Sequence, residues 1–324
     1  VTGPKPIKTP SLVDNTAEFD ALVKELWGNE SGVNSVGKGK VYANMPLLQV
    51  FANQSIAADF TYTKPQSDSK LFFVHRRVDD TDIYWVNNRT DRVEDFTGAF
   101  RTNGKEAEIW HPETGKVDQA SFTIEKEMTK VPLHLEPNDA VFVVFRNRTN
   151  ETSRVVNKPT ETKLAEVSGP WNVSFQAKRG APAQATFEAL APWNENPDTG
   201  IKYFSGTGTY SKILQASADW IKAGTEVWID LGKVQNLAEV VVNGKSMGIV
   251  WKTPFRVNLT GALKQGENTL EIKVTNLWVN RLIGDRQPDA KEKITYTITS
   301  PYRADTPLKS SGLMGPVQLL SLTK

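Results

Sequence analysis

Alternating hydrophobic and polar positions predict β-strands over most of this chain. The clearest run spans residues 239–285, where Val, Ile and Leu alternate with polar residues on both sides of Asn243-Gly244. An Asn-Gly pair between two such runs is the strongest short-range signal of a β-hairpin. Further strands are predicted beside Pro254, at a sheet edge, and after a turn at residues 266–268. We therefore predict consecutive antiparallel strands in this stretch.

Helical spacing of apolar residues is confined to the beginning of the chain. Apolar residues at positions 19, 22, 23 and 26 follow residues 14–16, Asp-Asn-Thr, which favour a helix N-terminus. A short strand at residues 37–42 and a second helix with Pro46 in its first turn come next. Because so short a fragment rarely buries an independent core, we expect residues 1–66 to be the end of a truncated α/β domain.

Two β-rich domains are predicted after this fragment. Regularly spaced strands, with turn signals between them, predict a β-sandwich over residues 67–150. Residues 151–168 are polar and contain Pro159, which predicts a linker. Strands predicted at residues 203–210, 226–231, 239–285 and 317–320 favour a jelly-roll β-sandwich over residues 169–324. The predicted fold class is thus mainly β, with a C-terminal jelly roll preceded by a second sandwich and a short α/β fragment.

The composition argues against several kinds of binding partner and reactive site. A net charge of +2 without long charged runs argues against nucleic acid or a membrane surface as a partner. The chain has no cysteine, which excludes disulfides and thiolate chemistry. Its three histidines lack the spacing of a zinc site. We therefore expect no cofactor. Calcium at the acidic residues 79–82 is a minor alternative, because the spacing of these residues matches no calcium-binding loop.

Several motifs resemble, in order, the C-terminal half of bacterial α-L-rhamnosidases of glycoside hydrolase family 106. They are VTGPKPIKTPSL (1–12), GKGKVY (37–42), HRRVDDTDIYWVN (75–87), FRTNG (100–104), IWHPETG (109–115), YFSGTGTY (203–210), WVNRLIGD (278–285) and SGLMGPV (311–317). The hairpin at Asn243-Gly244 is shared more widely, with galactose-binding-like and family 2 sugar-binding-like sandwiches, and is weak alone. WVNRLIGD, together with the HRR and WHPETG segments, is more specific.

The resemblance implies a parent enzyme that inverts the anomeric centre with two glutamates held in an N-terminal (β/α)8 barrel. That barrel is not visible in this sequence, and we expect the chain to begin inside a domain that follows it. The resemblance also implies a rhamnose-containing glycan of plant or algal polysaccharide as a partner, and a periplasmic or secreted bacterial location. No acid–base pair of carboxylates can be named from the 37 acidic residues. No catalytic residue is therefore predicted in this chain, and whether it is itself an enzyme stays open.

Candidate sugar-binding residues lie where the last strand of the 239–285 run passes into a loop. Trp278, Asn280, Arg281 and Asp285 offer an aromatic platform, an amide, a bidentate donor and an acceptor, which a sugar site requires. The competing interpretation is an Arg281–Asp285 pair that pins a loop, because structural ion pairs outnumber ligand sites. Trp193, in a loop rich in Pro and Asn, is predicted to be exposed and is the fifth candidate.

The remaining aromatic and charged residues favour structural roles. Trp171, Trp228 and Trp251 lie in or beside predicted strands and are expected in the core or between sheets. His75 and Arg76 precede an acidic turn, and the plain interpretation is a strand edge with solvated charges. The functional alternative is that both side chains face the barrel.

Three hypotheses follow for the whole chain. It is the accessory part of a rhamnosidase-like enzyme, a stand-alone carbohydrate-binding module, or a pair of purely structural sandwiches. Binding to a glycan array would separate the second from the third.

Overall fold

The computed structural model describes residues 1–12, 15–290 and 292–323. The chain divides into two compact units, Val1–Val156 and Asn157–Lys324. Both consist mainly of antiparallel strands, which confirms the predicted fold class. The division falls inside the segment predicted as a linker.

The first unit begins with a small layer of strands and helices. Its elements are β1 (Thr2–Gly3), α1 (Thr16–Trp27), β2 (Gly32–Val36), β3 (Gly39–Ala43) and α2 (Leu47–Asn53). Strand β1 pairs in parallel with β3, and β2 pairs with β3 in the antiparallel direction. The side chain of Asn15 caps α1 by accepting from the Glu18 N–H at 3.2 Å, as the sequence predicted. Asp14, another of the three predicted cap-type residues, lies outside the described residues.

A β-sandwich makes up the rest of the first unit. Its strands are β4 (Phe60–Tyr62), β5 (Leu71–Val78), β6 (Thr81–Asn88), β7 (Glu94–Phe100), β8 (Glu108–Trp110), β9 (Val117–Gln119), β10 (Phe122–Glu125), β11 (Met128–Leu135), β12 (Ala140–Phe145) and β13 (Ser153–Arg154). They form two five-stranded sheets, in the orders β13-β10-β11-β7-β4 and β5-β6-β12-β8-β9. Inward-facing residues such as Phe100, Val131, Tyr84 and Val143 form one core between the sheets.

Strand β5 lies at the edge of its sheet and pairs with β6 along its whole length. Phe72, Phe73 and Val74 are all exposed, although successive residues point to opposite faces of a strand. The strand runs through Arg76 and Arg77 to Val78, and the acidic turn follows.

The second unit contains two larger sheets and two short α-helices. Its elements are β14 (Thr160–Glu166), β15 (Trp171–Phe175), β16 (Gln184–Phe187), α3 (Thr199–Lys202), β17 (Thr207–Ala216), β18 (Glu226–Asp230), β19 (Lys233–Gln235), β20 (Leu237–Val242), β21 (Lys245–Val250), β22 (Arg256–Asn258), β23 (Gly266–Thr275), α4 (Val279–Gly284), β24 (Gly312–Gly315) and β25 (Gln318–Thr323). Single 3₁₀ turns occupy Trp193–Glu195 and Ala218–Ile221.

The second unit is also a sandwich. A four-stranded sheet, β14-β25-β18-β22, and a six-stranded sheet, β16-β15-β17-β23-β20-β21, contribute to one hydrophobic core that includes Trp171, Tyr210, Ile229 and Ile272. The predicted hairpin is confirmed, because β20 and β21 pair across Asn243-Gly244. Both turn residues have positive φ, 50° and 78°, which is the conformation that an Asn-Gly turn between strands needs.

Four local predictions are wrong. Residues 266–268 begin β23 instead of forming a turn, and residues 203–206 precede β17. Residues 278–285 form α4 with its caps, whereas a strand passing into a loop was predicted. The predicted linker contains β14, which pairs with β25 at the far end of the sequence. Because that pairing is so distant in sequence, the local pattern of polar residues could not indicate a strand.

Candidate functional site

The four predicted sugar-binding residues at and beside α4 separate into one exposed and three buried side chains. Trp278 precedes α4 and is 68% exposed, so its indole face is open to solvent. Asn280, Arg281 and Asp285 are buried. The short helix α4 and its C-cap turn these three residues inward. The predicted constellation of four side chains around one sugar is therefore not formed.

Asn280 binds the backbone of a neighbouring segment. Its Nδ2 donates to the Lys309 carbonyl at 2.7 Å, and its Oδ1 accepts from the Lys309 N–H at 2.8 Å. These two bonds mimic a short piece of sheet and hold the chain just before β24. The amide has little capacity left for a ligand.

Arg281 and Asp285 form a buried ion pair across one turn of α4. Arg281 Nε lies 3.0 Å from Asp285 Oδ1, without a directed hydrogen bond at Nε. The guanidinium is packed tightly, because a Cβ on Gly284 would lie 2.5 Å from Nη2 and a Cβ on Gly180 would lie 2.9 Å from Nη1. Two positions without side chains therefore make room for this cation.

Asp285 also fixes the segment that follows α4. Its carboxylate accepts from the N–H groups of Ile294 and Thr295, at 3.2 and 2.8 Å, and from the Thr295 hydroxyl. Burial raises the pKa of Asp285, but the bonds from Thr295 and Ile294 and the charge of Arg281 outweigh burial, so that the pKa lies below its usual value. The geometry corresponds to the loop-pinning interpretation of this pair.

A small cavity of about 170 Å³ lies against the same carboxylate. Asp285, Lys293, Thr295 and Tyr296 contribute to its wall, and the Tyr296 side chain is exposed. The sequence indicated Asp285 only. Lys293 and Tyr296 were missed because they lie in an irregular segment without periodicity.

Trp193 does not lie on the surface, and its prediction as an exposed sugar platform is wrong. The ring is fully buried in the core of the second unit, and its Nε1 donates to the Tyr210 hydroxyl at 2.6 Å. Gly208 and Gly312 border the ring, where a Cβ would come within 2.7 and 2.8 Å. Polar neighbours in the sequence suggested a loop, but a 3₁₀ turn directs the indole inward.

Trp251 shows the opposite difference between prediction and structure, because it was predicted to be buried and is exposed. It was expected in the core or between sheets, but it is 62% exposed, just after the edge strand β21. Trp171, in contrast, is buried as predicted. Edge strands leave one side unpacked, which alternation alone does not reveal.

His75, in the first unit, lies between two carboxylates. Its Nδ1 is 2.9 Å from Asp59 Oδ2, and its Nε2 is 3.2 Å from Asp82 Oδ1. The imidazole stacks on the Tyr84 ring with centroids 4.0 Å apart and planes inclined by 8°. Each ring nitrogen of His75 therefore has a carboxylate oxygen within hydrogen-bonding distance. Arg76, on the opposite face of β5, is exposed.

The acidic turn next to His75 is neutralised by basic side chains. Lys105 is buried, and its Nζ lies 2.9 Å from Asp82 Oδ2 and 3.3 Å from Asp80 Oδ1. Asp80 also accepts from Arg148 Nη2 at 2.7 Å. Over the described ranges, no group of three or more acidic or histidine residues is placed to hold a metal ion. The contacts of Asp80 and Asp82 thus do not support the calcium alternative.

Asp59 connects His75 to a groove on the surface of the first unit. Asp59 Oδ1 accepts from Arg101 Nε at 2.9 Å and also from Arg101 Nη2. Burial raises the pKa of Asp59, but hydrogen bonds from His75 and Arg101 outweigh it and place the pKa below its usual value. The sequence missed this pair, because 42 residues separate its members and no spacing connects them.

The groove itself, the Phe51 groove, has a volume of about 440 Å³. Asp59 and Arg101 contribute its charged lining, and the rest is apolar: Leu48, Phe51, Ala52, Ile56, Ala57 and Ala58. Phe51 and Ile56 are partly exposed, and Leu48 is almost completely exposed. Such a surface can bind apolar groups.

Neither cavity has the chemistry of an inverting glycosidase. That reaction needs two carboxyl groups on opposite sides of the scissile bond, about 6.5–9.5 Å apart. Each cavity has one carboxylate in its lining, Asp285 or Asp59. Both carboxylates already accept hydrogen bonds from protein groups.

The described part of the chain has no helix that is long and apolar enough to cross a membrane.

Comparisons with known proteins extend the motif resemblance along the chain. Residues 1–124 match the sequence pattern of glycoside hydrolase family 106, described as alpha-L-rhamnosidase. The structure is similar to that of the rhamnosidase from Novosphingobium sp. PP1Y, with 42% identity and a TM-score of 0.87. That match covers 99% of this chain and 30% of the other.

A curated relative, a putative beta-glucuronidase from Formosa agariphila, is 32% identical over 250 residues. This alignment covers 68% of the present chain and 21% of the relative. The chain therefore spans less than a third of the length of either protein. Residues 1–124 thus carry the sequence pattern of glycoside hydrolase family 106, and nearly the whole chain is similar to one part of a rhamnosidase structure.

Proposed function

We propose that the chain is the non-catalytic, supporting part of an α-L-rhamnosidase-like glycoside hydrolase. The observation that carries the proposal is the extent of the match, which covers 99% of this chain but 30% of the Novosphingobium rhamnosidase. The engaged carboxylates of the two cavities support it, because they offer no pair for acid–base catalysis. The catalytic barrel of the same protein is then the partner of this chain.

The substrate of the whole enzyme is, in this proposal, a rhamnose-containing glycan of plant or algal polysaccharide. A polysaccharide is processed outside the cytoplasm, so we place the bacterial enzyme in the periplasm or the medium. The relative named beta-glucuronidase matches at lower identity and over a shorter stretch. The rhamnosidase is therefore the better guide to the sugar.

The test compares the isolated chain with a hybrid enzyme. In the hybrid, this chain replaces the matching 30% of the Novosphingobium rhamnosidase. We expect the isolated chain to release no rhamnose from an aryl α-L-rhamnoside, and the hybrid to release it. Turnover by the isolated chain that disappears when one of its own carboxylates is replaced would contradict the proposal.

Carbohydrate binding by the chain itself is a second candidate function, carried by the exposed indole of Trp278. An open aromatic face stacks on the C–H face of a pyranose. On a glycan array, we expect weak retention of rhamnose-containing glycans and its loss in Trp278→Ala. Trp251→Ala, which removes another exposed indole, is the matched control. If no glycan is retained by the unmodified chain, the supporting role alone remains.

A further inference from the structure

The described residues of the strand–helix layer, within positions 1–59, belong to neither of the two larger hydrophobic clusters, which begin at Phe60 and at Val167. The layer buries only a few apolar side chains, which are Val23 of α1, Val41, Tyr42 and Ala43 of β3, and Val50 of α2. Leu22 and Leu26 of α1 are exposed. Packing within this chain therefore covers only part of the apolar surface of the layer.

The layer combines helices with a mixed sheet. Strand β1 pairs in parallel with β3, β2 pairs with β3 in the antiparallel direction, and β1 is an edge strand of this sheet. A parallel pair needs a long crossover connection, and the segment between β1 and β3 contains α1 and β2. The layer thus has an α/β character that the two sandwiches do not share.

Helix α2 has an apolar side that faces away from the protein. Leu48 is 82% exposed, and Phe51 and Ala52 follow it at helical spacing on the same side. These three residues form one wall of the Phe51 groove. In a helix at a free surface, this side would carry polar residues. Exposed apolar surface of this kind marks an interaction site.

The charged end of the groove also has a free donor. Arg101 has five N–H donors, and those on Nε and Nη2 are directed to Asp59. Its Nη1 has no hydrogen-bond partner among the described residues. Asp59 is in turn fixed by His75, so the guanidinium is held in place at the surface. The groove is suited to an apolar side chain that lies next to a carbonyl or carboxylate oxygen.

We propose that the Phe51 groove is the surface on which the rest of the rhamnosidase-like protein docks, with an apolar side chain in the groove and an oxygen acceptor on Arg101. This inference rests on the proposed function. A polypeptide is favoured over a sugar because six of the eight lining residues are apolar, whereas a sugar needs several polar partners. The proteins that this chain matches are long enough to supply such a segment, since the chain covers 30% and 21% of them.

The absence of cysteine provides a direct test. In Leu48→Cys, the new thiol reacts with a maleimide only where the groove is open, and peptide mass spectrometry reads the labelling at that position. We expect labelling to be about tenfold or more slower in the hybrid enzyme than in the isolated chain. Ile298→Cys is the matched control, because Ile298 is 90% exposed and lies in the second unit. It should react at the same rate in both proteins.

Each outcome decides one question. Equal labelling of Leu48→Cys in an active hybrid overturns the docking surface and leaves the proposed function standing. Protection of Leu48→Cys in the isolated chain by L-rhamnose also overturns it, because the groove would then bind a sugar. Turnover of an aryl α-L-rhamnoside by the isolated chain contradicts the proposed function, whatever the labelling shows.

Discussion

Two Asp–Arg pairs in this protein have the same chemistry but different surroundings. The Arg281–Asp285 pair of the second unit is enclosed, with side chains 9% and 7% exposed. The Arg101–Asp59 pair of the first unit is 47% and 30% exposed. In the enclosed pair, Arg281 contacts Asp285 across one turn of α4, and Asp285 accepts hydrogen bonds from the segment that follows the helix. The open pair retains a free guanidinium nitrogen beside an apolar groove. Burial, more than residue type, therefore separates an internal brace from a candidate contact site.

The largest expected effect comes from breaking the enclosed pair. Arg281→Met should destabilise the second unit by about 3–5 kcal/mol, because it leaves the Asp285 carboxylate buried without its cation. Urea unfolding followed by tryptophan fluorescence measures the loss. Arg286→Met removes an exposed arginine two residues beyond α4 and should change stability by less than about 0.5 kcal/mol. Equal effects of the two variants would remove the distinction between the pairs.

Acid should weaken the enclosed site next. The pKa of Asp285 is lower in the folded state than in an unfolded chain, where it is about 3.9. Its contribution to stability is therefore complete above the unfolded value and is lost as the pH falls through the folded value. The urea midpoint of the unmodified chain should approach that of Asp285→Asn as the pH decreases. A constant difference between the two proteins down to the lowest pH would contradict this assignment.

His134 should produce a smaller effect of opposite sign. Burial lowers its pKa, but contacts with Asp95 and Glu136 outweigh burial and raise it above its usual value. The stabilisation by His134 is complete below the unfolded pKa, about 6.5, and is lost as the pH rises through the folded value. His134→Gln should narrow the stability difference between mildly acidic and mildly alkaline buffer. Because the ring is about half exposed, the change should be slight.

The smallest expected effect on stability is at the open pair. Arg101→Met should lower the free energy of unfolding by no more than about 1 kcal/mol, because exposed ion pairs contribute little. Thermal unfolding of the isolated chain measures this change. In the hybrid enzyme, the same variant should be more destabilising, because there a docked segment would lose its hydrogen-bond donor. A large loss in the isolated chain would show that Arg101 is part of an internal brace.

The features that could be predicted from the sequence are those that depend on residues close to each other along the chain. The Asn243-Gly244 hairpin follows from two positive φ angles that this dipeptide tolerates. The strands that were predicted in both sandwiches follow from alternation, whereas β14 does not. The jelly-roll connectivity of the second unit and a barrel-facing role of His75 and Arg76 stay predictions. The burial of Trp193 could not be predicted, because the space for its ring depends on Gly208 and Gly312, which are distant from it in the sequence. The Asp59–Arg101 pair was hidden for the same reason.

Strand β5 has a consequence for handling the protein. An edge strand with exposed Phe72, Phe73 and Val74 is a template for pairing with another molecule, and such pairing leads to aggregation. Arg76 and Arg77 at its end act as charged gatekeepers, since two copies would bring like charges together. Salt screens that repulsion over about 10 Å at 0.1 M. The solubility of the isolated chain should therefore decrease as ionic strength increases.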